Sequence, residues 1–390
     1  MSRISHTAAF LLSSVSLFGE HVAAKDDFEQ QDVFLIASYP DAGVINYLLL
    51  EERNNDPADL VASGGWLKLI DQLKYPTYTA YDFANRYLYV CDCDEILQFK
   101  IDFAATIEAE KNGAVATNVS CGGLAVDKFS NLFYVDTKER SQGSSFSSVM
   151  RINRDLLQLD KYPADIVRVV YDGTVSKSAQ SIKDIAIEHE FLYWTNDSHS
   201  DGHGGVHKAF TEPFIKAEPF QTYEIKDIAR AEDVTTNENF LFFTGEQSRG
   251  RGLGTREPEL FIQKKQGAGL YYHFNGDLTD RLKRPGSLAT YKDTVLLIAN
   301  EGFISMLDIT KFPPLSQDFK DDTITAEPPI GALTSNSVCA ANLPPTKAAR
   351  GLTLISEDRM SVQAKTLSYS GAASTAVGAG FMVLLGLSLF

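Results

Sequence analysis

Ile185-Ala-Ile-Glu-His-Glu-Phe-Leu-Tyr-Trp-Thr-Asn196-Asp197 decides how the rest of this chain reads. Apolar and β-branched residues alternate through it with period two, which fits two short strands joined by a tight turn better than a helical stripe. A second copy lies upstream, Gly123-Leu-Ala-Val-Asp-Lys-Phe-Ser-Asn-Leu-Phe-Tyr-Val-Asp136. Looser copies run from Tyr78 to Asp92, from Asp233 to Thr244 and from Ser287 to Ala299, and Val33-Phe-Leu-Ile-Ala-Ser38 matches the second half of a sixth. Aligning the second strands at Phe34, Leu88, Leu132, Leu192, Leu241 and Val295 gives steps of 54, 44, 60, 49 and 54 residues. A period of roughly 40–50 residues with several short strands per unit marks propeller blades.

The paired segments Gly-Leu-Ala-Val-Asp and Leu-Tyr-Trp-Thr-Asn resemble the YWTD repeat, also called the low-density-lipoprotein-receptor class B repeat, over about residues 31–310. NHL repeats are a neighbouring propeller family with a similar pattern. The resemblance implies an all-β, six-bladed β-propeller. It also implies that Tyr193 and Trp194 pack between blades rather than face a ligand. Five inner strands precede Phe312. Gly351-Leu-Thr-Leu-Ile355 repeats the inner-strand template and is expected to supply the sixth, closing the ring beside Val33–Ser38 so that no sheet edge stays open. Between these lies a Pro-rich, irregular stretch with Phe312-Pro-Pro, Glu327-Pro-Pro and Leu343-Pro-Pro.

The ends carry a different composition. Residues 1–24 combine Arg3, an apolar run from Ala8 to Phe18 and small residues before Lys25, the pattern of a secretory signal peptide. The propeller is expected over 31–357 and a stalk over 358–370. Residues 371–390 hold no charge and end in an apolar tail, which fits a glycosylphosphatidylinositol-attachment signal with the lipid on Ser370 or Gly371. A retained C-terminal membrane segment is the alternative reading. Together these place the protein on the extracellular face of the plasma membrane. The four cysteines, Cys91, Cys93, Cys121 and Cys339, are disulfide candidates in that compartment. Cys91 and Cys93 stand two apart on one strand face, so each is expected to find a partner elsewhere, with Cys121 able to reach one and Cys339 the other. Asn118 and Asn196 stand in glycosylation sequons.

A formal net charge of −15 argues against nucleic acid as a partner, since phosphate backbones select basic surfaces. Long loops on one face, at 137–148, 196–204 and 245–258, point to a protein or glycan ligand. They offer His199, Asp201 and His203 in one loop and Arg249, Arg251 and Arg256 in another. His199, His203 and His207 form a weaker metal alternative. An enzymatic alternative, a lactonase-like metal-dependent hydrolase, draws on the starts of the inner strands, read here as Thr79, Gly122, Asp184, Asp233 and Ser287. Of these Asp184 and Asp233 are acidic, too few for a hard-metal cage. No cofactor is expected. A binding module is the favoured reading, ahead of that hydrolase and of a structural surface coat.

Overall fold

Alternating apolar runs punctuated by turns do form hairpins here. The computed structural model describes residues 32–103, 106–139, 145–157, 168–172, 181–196, 205–212, 221–223, 228–247, 258–265, 271–274, 282, 284–311, 330–332 and 349–357. Strands dominate them, in six four-stranded antiparallel sheets.

Sheet one contains β1 (Val33–Tyr39), β2 (Val44–Glu52) and β3 (Leu60–Ile70). Sheet two is β4 (Pro76–Asp82), β5 (Tyr87–Asp92), β6 (Glu95–Phe103) and β7 (Ile107–Thr117). Sheet three is β8 (Cys121–Val126), β9 (Leu132–Glu139), β10 (Ser145–Ile152) and β11 (Arg168–Asp172). Sheet four is β12 (Ile182–Glu188), β13 (Phe191–Asn196), β14 (Gly205–Phe210) and β15 (Gln221–Tyr223). Sheet five is β16 (Ile228–Thr236), β17 (Phe240–Gln247), β18 (Pro258–Lys264) and β19 (Tyr271–Phe274). Sheet six is β20 (Leu288–Tyr291), β21 (Val295–Asn300), β22 (Phe303–Asp308) and β23 (Ile330–Ala332). The last strand, β24 (Leu352–Ser356), returns to sheet one and pairs antiparallel with β1, Leu352 opposite Ala37 and Ser356 opposite Val33. The strand expected at Gly351–Ile355 therefore pairs where the sequence put it.

The first strands of the sheets touch in succession: β4 with β8, β8 with β12, β12 with β16, β16 with β20, β20 with β24, and β24 with β4. Each second strand is covered on both faces and is buried almost throughout. Val295–Asn300 is buried at every residue. This explains why the second strands read as continuous apolar runs, whereas the outer ones do not. Tyr193 and Trp194 are buried as expected, with Trp194 4.8 Å from Tyr171 and 5.6 Å from His207, ring centre to ring centre.

The second strands also carry a recurring polar position, the Thr of Tyr-Trp-Thr. Thr195 Oγ1 donates to Glu232 O of sheet five at 3.1 Å. At the matching place Thr244 Oγ1 donates to Gly286 O of sheet six, and Ser38 Oγ donates to Thr77 O of sheet two. In sheet two the same position is Cys91, joined by a disulfide to Cys121 of sheet three. Ion pairs add further links between neighbouring sheets: Arg86 with Glu357, Arg151 with Glu212, Lys265 with Glu188, and Lys292 with Glu52.

Several expectations need correcting. The matching second-strand starts in sheets one and six are Leu35 and Leu296 rather than Phe34 and Val295, because Leu35 pairs with Leu354 and Leu296 with Thr290 as Leu192 pairs with Ile187. The outer strands β7 and β23 were not legible, since one is rich in exposed Glu and Lys and the other lies inside the Pro-rich stretch. Cys93 is an exposed free thiol among the described residues, and Cys339 lies outside them. Asn118 is exposed, in a left-handed turn. Asn196 is not a usable sequon: it is fully buried, and its Oδ1 accepts Ser181 N at 3.1 Å. The signal, stalk and anchor segments (1–24, 358–370 and 371–390, with Ser370 and Gly371) lie outside the described residues, among which no helix is long and apolar enough to cross a membrane.

Candidate functional site

Registers define one equivalent position in each of the six first strands. Ile185 pairs with Trp194, Thr79 with Val90, Leu124 with Tyr134, Val234 with Phe243, Leu288 with Ile298 and Leu352 with Ala37. The residues just before them are Asp184, Tyr78, Gly123, Asp233, Ser287 and Gly351. Thr79 and Gly122 are thus each one residue off the expected alignment. A bulge recurs just before this position in four sheets, with register shifts between Pro76 and Thr79, Cys121 and Leu124, Ile182 and Ile185, and Ala231 and Val234.

The structure brings Asp184 and Asp233 together, as the sequence suggested, and adds Tyr78, which it did not. Both carboxyls are buried. Asp184 Oδ2 accepts Val234 N at 3.0 Å. Asp233 accepts Leu288 N at 3.1 Å on Oδ1 and the Ser287 hydroxyl at 2.9 Å on Oδ2. Ser287 Oγ in turn accepts Leu352 N at 3.2 Å. A chain of hydrogen bonds therefore runs along the strand starts from sheet four through five and six to one. Two glycines make the fit possible. A Cβ on Gly123 would stand 2.6 Å from Asp184 Oδ1, and one on Gly351 would stand 2.3 Å from Thr77 O.

Burial is the main electrostatic influence on the pair. It pushes the Asp184 carboxyl well above the usual carboxylate range, helped by the charge of Asp233 and opposed by the N–H groups of Val234 and Ile185. It pushes Asp233 up to about 7, against the stabilising Ser287 hydroxyl and Leu288 N–H. Tyr78 belongs to the same electrostatic unit. Burial raises its hydroxyl first, then the charges of Asp184 and Asp233, with Arg350 pulling the other way. Two adjacent buried carboxyls near neutrality can hold one proton between them, the arrangement of a general acid beside a general base.

A divalent metal does not fit this set. The described residues supply two carboxylates, both engaged by protein donors, and no group of three His, Cys, Asp or Glu side chains able to hold an ion occurs among them. His207, the described member of the proposed histidine set, is buried in β14 against Trp194, so it does not belong to a loop cluster. Strands extend further into the three long loops than expected, leaving 140–144, 197–204 and 248–257 outside the described residues. His199, Asp201, His203, Arg249, Arg251 and Arg256 all fall there.

No protein-family model matches the chain. No curated protein matches it either. Among solved structures it is similar to a functionally unknown protein from Desulfotomaculum acetoxidans, at 11% identity and TM-score 0.45, covering 83% of this chain and 99% of that one. It is also similar to a gluconolactonase from Xanthomonas campestris, at 14% identity and TM-score 0.41, covering 70% and 81%. The PQQ-bound aldose sugar dehydrogenase from Streptomyces coelicolor aligns at 12% identity and TM-score 0.44, covering 83% and 91%. Each is a likeness of chain trace at low identity, and none assigns an activity to this chain.

Proposed function

We propose that the six sheets are the blades of a six-bladed β-propeller, ringed by their first strands and closed by β1 and β24, with an acid–base hydrolytic centre at Asp184 and Asp233. The succession of first-strand contacts supports the ring. The observation that carries the chemistry is the buried carboxyl pair at equivalent positions of β12 and β16, with Asp233 raised to about 7 and Tyr78 within its field. The reaction it suits is hydrolysis of a lactone or ester. The ionised carboxylate takes a proton from water as the water oxygen bonds to the acyl carbon. The protonated carboxyl gives its proton to the departing alkoxide as the acyl C–O bond breaks. Asp184, the more strongly raised carboxyl, is the acid and Asp233 the base, which ionises as pH rises through about 7, so turnover should rise with pH through that range. Asp233→Asn keeps the side-chain size and an acceptor for Leu288 N, and removes the titration. It should cut kcat for small lactones at least about 100-fold, while a panel showing equal turnover in both proteins would dismiss the centre.

A second reading, an extracellular recognition module in the manner of YWTD propellers, rests on a different observation. The oxygens of both carboxyls already accept donors from the next sheet, as purely structural groups would. In this reading the ligand is a protein or glycan met by the long loops. A secreted, lipid-anchored placement goes with either reading. Release of the protein from intact cells by phosphatidylinositol-specific phospholipase C tests that placement, and recovery of residues 381–390 in the mature protein would contradict it.

A further inference from the structure

The two acids belong to sheets four and five. On the ring proposed above, sheets one and two stand across from them, and the side chains there are donors. Gly351 of sheet one passes so close to sheet two that a Cβ on it would stand 2.3 Å from Thr77 O. That approach sets the residues on either side of the contact, Arg350 and Tyr78, next to each other. Arg350 N donates to Ser38 O at 3.1 Å, which ties its backbone to β1.

Both side chains lack the partner their chemistry calls for. Arg350 is exposed, and among the described residues its guanidinium has neither an ion pair nor a hydrogen bond. Tyr78 is half-buried, and no described group hydrogen-bonds its hydroxyl. That hydroxyl is not sealed from solvent, as the unpaired hydroxyls of Tyr39 and Tyr81 are. After the charges of Asp184 and Asp233, that of Arg350 acts most strongly on Tyr78, ahead of Glu232. An unpaired cation and an unpaired hydroxyl therefore share one side of the centre, and the acid pair holds the other.

The chemistry of these donors selects the ligand. Two donors without acceptors, one of them a fixed cation, call for an acceptor that carries negative charge. A guanidinium presents a planar fork that matches a carboxylate with two parallel N–H···O bonds, and the neighbouring hydroxyl can add a third. The ester under attack must lie across the ring beside Asp184 and Asp233. The acceptor on Arg350 is then a substituent of the substrate, not the reacting carbonyl. We propose that Arg350 and Tyr78 are specificity-determining residues of the hydrolytic centre, and that its substrate is a lactone or ester bearing a separate carboxylate. This rests on the hydrolytic reading of Asp184 and Asp233. The carboxylate held by Arg350 takes no part in the reaction, so a lactone opened there yields a hydroxy acid with two carboxyl groups.

Steady-state hydrolysis by the intact protein of the γ-carboxylate of γ-butyrolactone, against the matching γ-carboxamide, tests this. The carboxylate should be preferred at least about tenfold in kcat/KM. Arg350→Gln should raise KM for the carboxylate about tenfold, change kcat less than about twofold, and bring the two substrates to parity. Tyr78→Phe should raise the same KM about threefold. Arg350→Lys, which keeps the charge and loses the fork, should retain part of the preference. Equal use of the two substrates by the unaltered protein overturns the proposal, as does a preference that survives Arg350→Gln. Hydrolysis that Asp233→Asn abolishes, but with no preference for the carboxylate, removes this inference and leaves the centre standing. Hydrolysis of neither lactone, or equal hydrolysis by Asp233→Asn, removes both. The preference is read first in the unaltered protein, so the test decides even where a variant fails to fold.

Discussion

Sheets two and four place different chemistry at one equivalent position. In sheet four Thr195 reaches the next sheet with a hydroxyl, donating to Glu232 O while accepting Asp184 N at 3.0 Å. In sheet two Cys91 stands there and reaches the next sheet covalently, through Cys121. Both residues are buried and both stand next to last in an apolar second strand. The comparison teaches that the last position of the Tyr-Trp-Thr pattern can fasten one sheet to the next by different chemistry in sheets one, two, four and five, whereas sheets three and six place the apolar Val135 and Ala299 there. It also shows why the repeat is recognisable in one copy and faint in others. The apolar residues are interchangeable, and the fastener can be Thr, Ser or Cys.

The largest way to break the comparison is to remove a whole strand rather than a fastener. Chains ending after Pro345 lack β24, so Leu352, Leu354 and Ile355 no longer cover β1. At about 2 kcal/mol for each buried side chain, and with the edge of β1 left unpaired, cooperative melting should be lost and aggregation appear. Chains ending after Val362 keep β24 and should melt like the full-length protein. Equal circular-dichroism melts for the two truncations would mean that β24 is dispensable.

Next in size is the covalent fastener. Cys91 and Cys121 are 30 residues apart, a loop whose closure is worth roughly 3–4 kcal/mol in the chain-entropy account. Cys121→Ser should lower the unfolding free energy by that amount, seen as a lower urea midpoint and a steeper slope, since the unfolded chain loses its cross-link. Because Cys93 is a free thiol, the variant is best measured with Cys93 also changed to Ser, which removes disulfide exchange. A stability loss under 1 kcal/mol would show that neighbouring packing, not the bond, joins sheets two and three.

How much of this was legible follows from the same physics. First and second strands declared themselves because Leu192–Thr195 and its counterparts are buried on both faces, so the sequence had to stay apolar there. The return of Gly351–Ile355 was legible for the same reason. β7 was missed because Glu108, Glu110 and Lys111 face water, and alternation on a solvated outer strand resembles any polar loop. Asp184 and Asp233 were found by position, but Tyr78 was not. The pairing of Thr79 with Val90, matching Ile185 with Trp194, is what reveals that Tyr78, not Thr79, stands level with them. The basic and histidine loops remain expectations, since they lie outside the described residues.

The smallest effect is the sharpest test of the comparison itself. Thr195→Val preserves the β-branched shape and volume while deleting one hydroxyl that both donates to Glu232 O and accepts Asp184 N. A fully buried site gives water no access to replace those bonds. The expected loss is about 1–2 kcal/mol, smaller than the covalent case because a hydroxyl exchanges protein bonds for solvent bonds, whereas a disulfide constrains the unfolded chain. Thr244→Val in sheet five should cost about the same, since Thr244 Oγ1 donates to Gly286 O at 3.3 Å and accepts Asp233 N at 3.3 Å. The two sites belong to different sheet interfaces, so their losses should add to within about 0.5 kcal/mol in the double variant. The coupling route between them is the carboxyl chain, in which Asp184 accepts Val234 N just beyond Asp233. A double-variant loss that departs from the sum by 1 kcal/mol or more would therefore mean that the fasteners act through Asp184 and Asp233 as one network rather than interface by interface.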